Sequence, residues 1–427
     1  MWLCPKQVEP VEIASSDFNI RRRIMPTRDA AVEKKIERVV ILGGGTAGIS
    51  VAARLRKALR GTEIVVVEPA ATHSYQPLWT LVGAGVFDKQ ESARAEKGLI
   101  PDGVKWLEDS VERIDPEKME IFTGSGKSLS YSVLVVSTGL KILWDGVKGL
   151  AETIGRNGVC SNYSIDYVSY TWDCIRDFKG GTAIFTHPNT PIKCGGAPQK
   201  IAYLAEDYFT INGVRENSRV VFASAQGSIF SVAKYARSLE QVIERKKIEA
   251  LFQHNLVEII ADKKEAVFQR LDNGEEVRMH YDMLHVTPPM GPPDFIKESG
   301  LGDQAGWVDV DNHTLQHNLY KNIFSLGDSA GLPTSKTAAA IRKQAPVAVA
   351  NILAYMGGET PQASYDGYTS CPLVTGYKNL ILAEFDYALN PQESFPFDQS
   401  KERYSMYLFK KYVIPVLYWE GMLKGRA

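Results

Sequence analysis

Short apolar runs alternate with helical patterns from about residue 36 onward. Residues 38–42, Arg-Val-Val-Ile-Leu, form an apolar run that stops at three glycines, as is typical of a parallel strand buried on both faces. Small and apolar residues at 46–59 predict a helix, and residues 63–68 predict a second strand. This order of elements predicts a βαβ unit at the start of a doubly wound α/β fold.

Two later stretches share one layout, a tyrosine followed by an apolar strand and a threonine-centred turn. They are residues 131–139 and 281–289. We interpret them as matching strands of two Rossmann-like dinucleotide-binding domains, one inserted in the other. Two unrelated buried strands are the alternative. Between them the pattern predicts strands at 182–185 and 219–223 and a helix over 231–248.

The three glycines begin a G-x-G-x-x-G motif, and Glu68 follows at the end of the second predicted strand. Gly43 permits a tight turn, Gly45 lets the backbone approach a pyrophosphate, and Gly48 allows close packing of helix and strand. The helix N-terminus stabilises phosphate charge, and Glu68 can accept hydrogen bonds from ribose hydroxyls. A dinucleotide site is therefore predicted at Gly43-Gly44-Gly45-Thr46-Ala47-Gly48, with a ligand-free glycine turn as the alternative.

Further motifs indicate FAD rather than NAD. Residues 322–328 are a predicted strand ending in Gly-Asp, similar to the second FAD motif of two-domain flavoprotein reductases, in which the aspartate lies beside the ribityl chain. Ser137-Thr138-Gly139 is similar to their A-T-G turn, although Gly-Asp alone is a common turn. Where NADH-dependent relatives carry glycines, residues 182–191 carry prolines, which have no amide proton to bind phosphate. We therefore expect FAD and no NAD site.

Composition narrows the classes of function. The chain has 427 residues and a formal net charge of −1, so nucleic-acid binding has no electrostatic support. No apolar run reaches about 18 residues, which argues against a spanning helix. Residues 1–35 mix arginines with acids and are interpreted as a presequence, a tail, or residues upstream of a start at Met25. No cluster has metal-ligand spacing, so no metal is expected.

Five cysteines at wide spacing indicate at most one functional pair. Cys194 lies in a glycine-rich loop before a predicted helix and beside Lys193, a setting that lowers a thiol pKa. Cys371 lies in a predicted turn-like loop. Spacing alone does not pair the two, and each is then better interpreted as an isolated buried thiol, as are Cys160 and Cys174.

Six segments carry a more specific pattern: residues 75–85, the loop around Cys194, 284–290, 332–340, the loop around Cys371, and 383–387. In this order they resemble the sulfide:quinone oxidoreductase family, especially its animal mitochondrial branch. The resemblance implies that Cys194 and Cys371 form a disulfide or sulfur-bridged pair at the flavin. Hydrogen sulfide would attack it, leave a persulfide on Cys371, and release Cys194 as a thiolate beside flavin C4a. Glutathione or sulfite would take the sulfane sulfur, and the flavin would reduce a membrane quinone such as ubiquinone.

The resemblance also assigns expected contact residues. FAD is expected to be non-covalent, because Cys160 and Cys174 do not match the third cysteine of many bacterial members. Lys336 would balance negative charge on the reduced flavin. The expected FAD residues beyond the glycine motif and Glu68 are Gln76, Val111 (through its backbone), Thr138, Gly139, Asp328, Lys336 and Thr337. The expected quinone residues are Glu384, which would also relay protons, Phe385, Tyr387 and Phe395.

Residues 405–419 mix apolar and aromatic side chains with lysines, and Pro415 interrupts them. We interpret them as a helix pair in the membrane interface, with tyrosine and tryptophan near the headgroups and lysine facing anionic lipid. Docking on the protein's own core is the alternative. The resemblance places the protein at the periphery of the mitochondrial inner membrane. His187 and His285 are expected to be core groups rather than catalysts.

These patterns predict an N-terminal tail or presequence, an FAD-binding domain in two parts, a second Rossmann-like domain without an NAD site, and a C-terminal quinone or membrane-interface region. Their bounds are 1–35, 36–150 with 290–355, 151–289, and 356–427. Three other functions remain open at this stage. They are a type II NADH:quinone oxidoreductase, a flavocytochrome-type sulfide dehydrogenase, and a catalytically silent FAD-binding scaffold.

Overall fold

The computed structural model describes residues 37–427, and the predictions for residues 1–35 lie outside them. Two five-stranded parallel sheets form the framework. In spatial order, the strands of the first sheet are Ile323–Ser325, Val133–Val136, Arg38–Leu42, Glu63–Val67 and Lys105–Leu107. Those of the second sheet are Val159–Cys160, Met283–His285, Gly181–His187, Ser218–Ser224 and Glu249–Leu251.

The predicted βαβ unit is confirmed. The strand Arg38–Leu42 leads through the glycine turn into the helix Thr46–Ala58, and the next strand, Glu63–Val67, pairs with the first in parallel. Residues 39–42 are fully buried, since helices and neighbouring strands cover both faces of the sheet. The apolar run of the sequence is therefore the centre of the first sheet.

The two similar stretches of sequence occupy similar places in the two sheets. Val133–Val136 lies beside Arg38–Leu42 in the first sheet, and Met283–His285 lies beside Gly181–His187 in the second. The strand Ile323–Ser325 then returns to the first sheet. The second sheet therefore lies, along the chain, between two parts of the first.

Antiparallel pieces and helices complete the fold. The remaining strands are Thr72–Ser74, Ala93–Ala95, Val111–Asp115, Glu120–Thr123, Ser128–Ser130, Lys141–Ile142, His254–Ile260, Glu265–Arg270, Glu276–His280, Met290–Gly291, Thr369–Gly376 and Asn379–Phe385. The α-helices besides Thr46–Ala58 are Trp79–Val82, Leu150–Thr153, Val168–Arg176, Ala197–Ile211, Ala233–Arg245, Asp294–Glu298, Ala338–Met356, Tyr404–Leu408 and Ile414–Val416.

Two sequence predictions need correction. Cys371 lies not in a turn-like loop but inside the strand Thr369–Gly376, which pairs with Asn379–Phe385 in a hairpin. Burial of both faces of this strand hides the alternation that would have revealed it. The helix predicted over 231–248 spans only Ala233–Arg245, because Val232 is extended and Lys247 has φ +51.

The C-terminal segment is a run of short helical elements. The π turn Phe409–Val413 joins the α-helices Tyr404–Leu408 and Ile414–Val416, and a second π turn, Leu417–Met422, follows them. Across residues 37–427, no helix is both long enough and apolar enough to cross a bilayer.

Candidate active site

The glycine turn after the first strand has the shape that a pyrophosphate requires. Gly43 has φ +94, and a Cβ there would collide with the backbone of Ser137. A Cβ on Gly48 would overlap the Gly43 carbonyl, so helix and turn are in direct contact. Around Gly45 the position of a Cβ has no neighbour within 4 Å, which leaves the helix N-terminus open to a ligand.

Glu68 holds this turn as well as facing the predicted ribose position. Its two carboxylate oxygens accept the backbone N–H groups of Gly44 and Ala70, each at 2.8 Å. Burial raises the pKa of the Glu68 carboxyl, and these two hydrogen bonds oppose the rise. A carboxylate has about four lone-pair positions, so ribose hydroxyls can still be accepted.

The predicted A-T-G-like turn fits a bound dinucleotide. The Thr138 hydroxyl is buried and has no hydrogen-bond partner within the described residues. Gly139 has φ +75, and a Cβ there would meet no atom within 4 Å. A buried hydroxyl beside open backbone is what a polar cofactor would satisfy.

Asp328 and Lys336 lie together at the predicted flavin end. Lys336 Nζ donates to the carbonyl oxygens of Asp328 at 2.8 Å and Ala330 at 3.1 Å. Burial lowers the pKa of Lys336 to about 8, and burial raises the pKa of Asp328 against the opposing charges of Lys336 and Lys193. Both residues are partly buried, and the charge of each favours the charged form of the other.

Thr337, Gln76 and Val111 have separate structural positions. Thr337 Oγ1 caps the helix Ala338–Met356 by accepting Ala340 N–H at 3.1 Å. Gln76 Oε1 accepts Lys193 Nζ at 2.6 Å, which connects it to the Cys194 loop. Val111 opens a strand of a small antiparallel sheet and faces Thr123.

The structure brings the two predicted cysteines together. Their Sγ atoms are 3.8 Å apart although 177 positions separate them in the chain. Cys194 has φ +56, and its N–H donates to Lys336 O at 2.8 Å, which ties the loop to the predicted flavin site. A Cβ on Gly196 would overlap Cys371 Sγ, so a glycine is needed there.

The pKa values of the two thiols are shifted in opposite directions. A hydrogen bond from the Cys371 thiol, followed by the charges of Lys200 and Lys410, holds the pKa of Cys194 well below its usual value despite burial. The hydrogen bond with Cys194 and burial raise the pKa of Cys371 well above its usual value. These influences favour the thiolate at Cys194 over Cys371, and the N-terminus of the helix Ala197–Ile211 adds to that preference.

Two buried lysines at this pair were not predicted from the sequence. Lys200 Nζ donates to Cys194 Sγ at 3.3 Å. Burial would lower the pKa of Lys200, but the charges of Cys194 and Cys371 raise it above its usual value. Burial and the charge of Lys200 lower the pKa of Lys410 to about 7. Lys200 lies in the first turn of the helix after Cys194, a position that could have signalled it, whereas Lys410 has no local signal.

Both histidines near the second sheet stay neutral. Burial lowers the pKa of His187 to about 4 and that of His285 to about 3. His285 Nε2 accepts the N–H of Asn162 at 3.1 Å, but its Nδ1 has no partner among the described residues. The expectation of a core histidine thus fits its burial, but only half of its hydrogen-bonding capacity is used.

The predicted quinone residues fall into separate environments. Glu384 is 4% exposed and accepts hydrogen bonds from Tyr368 Oη, Ser394 and Gln399. Phe385 packs edge-on against Phe230 at 5.8 Å between ring centroids. Phe395 stacks on Phe397 at 5.3 Å and meets Phe409, whereas Tyr387 packs against Tyr365 and donates to Asn312 O at 2.7 Å.

The C-terminal segment covers the glycine turn, contrary to the orientation predicted for its aromatic and basic residues. Tyr418 Oη hydrogen-bonds Thr46 Oγ1 at 2.8 Å and His73 Nε2 at 2.6 Å. Lys410 Nζ donates to Pro77 O at 3.0 Å. Tyr418, Trp419 and Lys410 are buried, so these three side chains face the protein rather than lipid.

Comparisons with known proteins identify the family of this chain. The family model for pyridine nucleotide-disulphide oxidoreductases matches residues 37–164. The chain is 51% identical to the mitochondrial sulfide:quinone oxidoreductase of Dictyostelium discoideum, over 92% of this chain and 87% of that protein. It is 48% identical to the corresponding protein of Mus musculus, over 91% and 86% of the two chains. The chain belongs to the sulfide:quinone oxidoreductase family.

A solved sulfide:quinone oxidoreductase from Aquifex aeolicus has the same fold, with a TM-score of 0.80, 19% identity, and 92% of each chain covered. As a member of the sulfide:quinone oxidoreductase family, this chain is an FAD-binding oxidoreductase. The open turn at Gly45, the unpartnered Thr138 hydroxyl and the space at Gly139 fit that cofactor.

Proposed function

We propose that this chain oxidises hydrogen sulfide and passes the two electrons through FAD to a quinone. The observation that supports it most directly is the Cys194–Cys371 pair, whose sulfurs are 3.8 Å apart beside Lys200. Membership of the sulfide:quinone oxidoreductase family supports the same reaction. Oxidised to a disulfide, the pair is an electrophile for hydrosulfide.

The protein's residues account for the sulfur chemistry. Hydrosulfide attacks Cys371 Sγ, a new S–S bond forms there, the Cys194–Cys371 bond breaks, and Cys194 leaves as a thiolate. Lys200 stabilises that leaving thiolate from 3.3 Å. Bound FAD would accept the two electrons that are released when the Cys194–Cys371 disulfide re-forms, and it would donate them to quinone. Thr46, Glu68, Thr138 and Asp328 are the residues proposed to hold it.

A small nucleophile, glutathione or sulfite, is the proposed acceptor of the sulfane sulfur from Cys371. Such an acceptor has to approach a cysteine that is 2% exposed, whereas its partner Cys194 is half-buried. The transfer leaves Cys371 as a thiolate, and loss of two electrons from the Cys194 and Cys371 thiolates to bound FAD would re-form their disulfide and complete the cycle.

The proposed location is the periphery of the mitochondrial inner membrane, where a lipid-soluble quinone is available. One face of the C-terminal segment supports this contact, because Tyr412, Val413 and Val416 are 57%, 49% and 60% exposed. These three residues, called the apolar face below, lie within one helical turn of each other. Lys411 adjoins them and can face anionic lipid.

An anaerobic absorbance titration tests the function. Addition of sulfide to the purified holoenzyme should bleach the flavin, and a soluble quinone should restore its colour. NADH should leave the flavin oxidised, because the strand Gly181–His187 is followed by Pro188-Asn189-Thr190-Pro191 rather than by the G-x-G-x-x-G spacing of a phosphate site. Bleaching by NADH but not by sulfide would favour a type II NADH:quinone oxidoreductase instead.

Replacement of either cysteine should separate cofactor binding from catalysis. Cys194→Ser and Cys371→Ser should each retain FAD and lose sulfide-dependent quinone reduction by about a thousandfold or more, since a serine cannot form the bridge. Cys174→Ser is the matched control, because its thiol is half-buried but lies on the helix Val168–Arg176 and is not a member of the pair. Full activity in Cys194→Ser or Cys371→Ser would remove that residue from the mechanism.

A further inference from the structure

A group of buried polar side chains without partners lies at the carboxyl edge of the second sheet. Tyr163 and Asn162 follow the strand Val159–Cys160, and Thr287 follows Met283–His285. They are 4%, 7% and 2% exposed, and neither the two hydroxyls nor the Asn162 amide has a hydrogen-bond partner within residues 37–427. Buried polar groups in folded proteins are normally paired, so three together indicate a ligand.

This edge is where an α/β sheet of this type binds its ligand. Ligands of open parallel sheets lie beyond the carboxyl ends of the strands. In this sheet the strand Gly181–His187 runs, at that same end, into the loop that carries Cys194. The group therefore shares one edge of the sheet with the cysteine pair.

Packing places Tyr163 against the cysteine loop. Tyr163 forms a small apolar cluster with Ile192 and Met290, against which Ala197 packs, and Ile192 and Ala197 flank Cys194 along the chain. Burial and the charges of Cys194 and Cys371 raise the pKa of Tyr163, whereas the nearby Thr287 hydroxyl lowers it, and neither hydroxyl has a hydrogen-bond partner among the described residues. Two neighbouring hydroxyls at the Cys194 loop, neither with a partner among the described residues, leave two donors for a third, small partner.

The donors are neutral, which suits an anion. Burial, with the cysteine charges, raises the pKa of Tyr163 well above its usual value, so its hydroxyl keeps its proton. His285 adds a further neutral donor at the rim, because its Nε2 accepts the Asn162 N–H and its proton is therefore on Nδ1. No carboxylate of the described residues hydrogen-bonds to Tyr163, Thr287 or Asn162.

We propose that the hydroxyls of Tyr163 and Thr287 form a binding subsite for hydrosulfide, from which the anion attacks Cys371. This inference rests on the proposed function and names two residues that bind its substrate. Tyr163 and Thr287 are 4% and 2% exposed, which suits hydrosulfide because it has a single heavy atom. Both hydroxyls donate to the sulfur anion, and its remaining lone pair forms the bond to Cys371 Sγ as the bond to Cys194 breaks.

Tyr163→Phe tests the subsite, because it removes only the hydroxyl oxygen. In anaerobic rapid mixing of the holoenzyme, the sulfide concentration that gives a half-maximal rate of flavin reduction should rise about tenfold or more, as expected when an anion loses one hydrogen bond. The limiting rate at saturating sulfide should stay within about twofold, because the cysteines are untouched. The half-saturating quinone concentration should not change.

Two further variants keep the test decisive. Thr287→Val, which preserves the shape of the side chain, should raise the same half-saturating concentration. Tyr281→Phe is the matched control: its hydroxyl is also buried without a partner, but the charge that acts on it is that of Tyr170, not of a cysteine. Tyr281→Phe should leave the half-saturating sulfide concentration unchanged.

The outcomes separate the subsite from the function. If sulfide does not bleach the wild-type flavin, the proposed function itself fails. If the wild type responds to sulfide but Tyr163→Phe and Thr287→Val have its half-saturating concentration, the subsite proposal is overturned and the hydroxyls bind water. An equal rise in Tyr281→Phe would likewise overturn it, because the effect would then come from the fold.

Discussion

At the scale of single residues, the cysteine pair works because its two members are held differently. Cys194 occupies a left-handed conformation at the start of a helix, whereas Cys371 is fixed in a strand. The ammonium of Lys200 reaches Cys194 Sγ and lies in an environment with little water to screen its charge. These surroundings favour Cys194 as the leaving thiolate and Cys371 as the residue that carries the transferred sulfur.

Replacement of Lys200 by methionine should raise the pKa of Cys194. The positive charge of Lys200 favours the thiolate, so its removal reduces the thiolate fraction at neutral pH and moves the titration to higher pH. Sulfide-driven flavin reduction at neutral pH should slow by about tenfold or more. The thiolate ultraviolet absorbance of the reduced protein, measured against pH with Cys194→Ser as blank, reports the shift directly.

Lys193→Met is the control for this charge. Lys193 adjoins Cys194 in sequence, but its ammonium bonds to Gln76 Oε1 at 2.6 Å rather than to sulfur. An unchanged Cys194 titration in Lys200→Met, or an equal shift in both variants, would contradict the assignment of Lys200 as the positioning charge.

At the scale of elements, the C-terminal segment is joined to the glycine turn through Tyr418. Its hydroxyl meets Thr46 and His73, and its ring packs on Tyr75 at 4.2 Å between centroids. Thr46 belongs to the G-x-G-x-x-G motif, so the end of the chain supports the start of the dinucleotide site. This contact explains why the segment faces inward at Tyr418 and outward at Val413 and Val416.

Tyr418→Phe should lower the free energy of unfolding by about 1–3 kcal/mol. The substitution removes a partner from the buried His73 ring nitrogen and from the partly buried Thr46 hydroxyl, which costs more than the loss of an exposed hydrogen bond. Chemical denaturation of the FAD-free protein measures the change. Tyr412→Phe, at a tyrosine 57% exposed, should have almost no effect. Equal stability of the two variants would show that the Tyr418 contacts contribute nothing.

At the scale of the whole molecule, the first sheet supplies the dinucleotide turn, the second sheet supplies Cys194, and the hairpin Thr369–Gly376 with Asn379–Phe385 supplies Cys371. The hydrogen bond from Cys194 N–H to Lys336 O joins the loop after the strand Gly181–His187 to the loop before the helix Ala338–Met356. The reacting sulfurs thus lie where three parts of the chain meet. The precise domain bounds stay a prediction.

The apolar face of the C-terminal segment should carry membrane binding. A double substitution, Val413→Asp with Val416→Asp, should reduce the fraction that sediments with vesicles of phosphatidylcholine and cardiolipin by about tenfold or more, since each buried valine contributes about 1.5 kcal/mol. Activity with a soluble quinone should be unchanged.

The control for this double substitution adds two aspartates outside the apolar face. Ile211→Asp with Leu319→Asp replaces residues that are 71% and 68% exposed outside the apolar face, and it should sediment like the wild type. Retention of vesicle binding in the Val413 and Val416 variant would refute this face as the membrane contact.

Much of the fold follows from the sequence because its signals are local. The apolar run 38–42, the glycine motif and Glu68 lie within one βαβ unit, and their spacing alone predicts the first strands, the turn and the helix. The prolines of 182–191 likewise argue against a nicotinamide site through the chemistry of a single residue type. Each of these inferences needs only neighbours along the chain.

The tertiary structure alone decided the rest, because it depends on contacts between distant residues. Cys194 and Cys371 are separated by 177 positions, and only the packing of the hairpin against the helix Ala197–Ile211 brings their sulfurs together. The inward orientation of Lys200 and Lys410 and the unpaired hydroxyls of Tyr163 and Thr287 depend on burial by other elements. A linear pattern records which residues are polar, but only the assembled fold determines which of them lose water and what they then face.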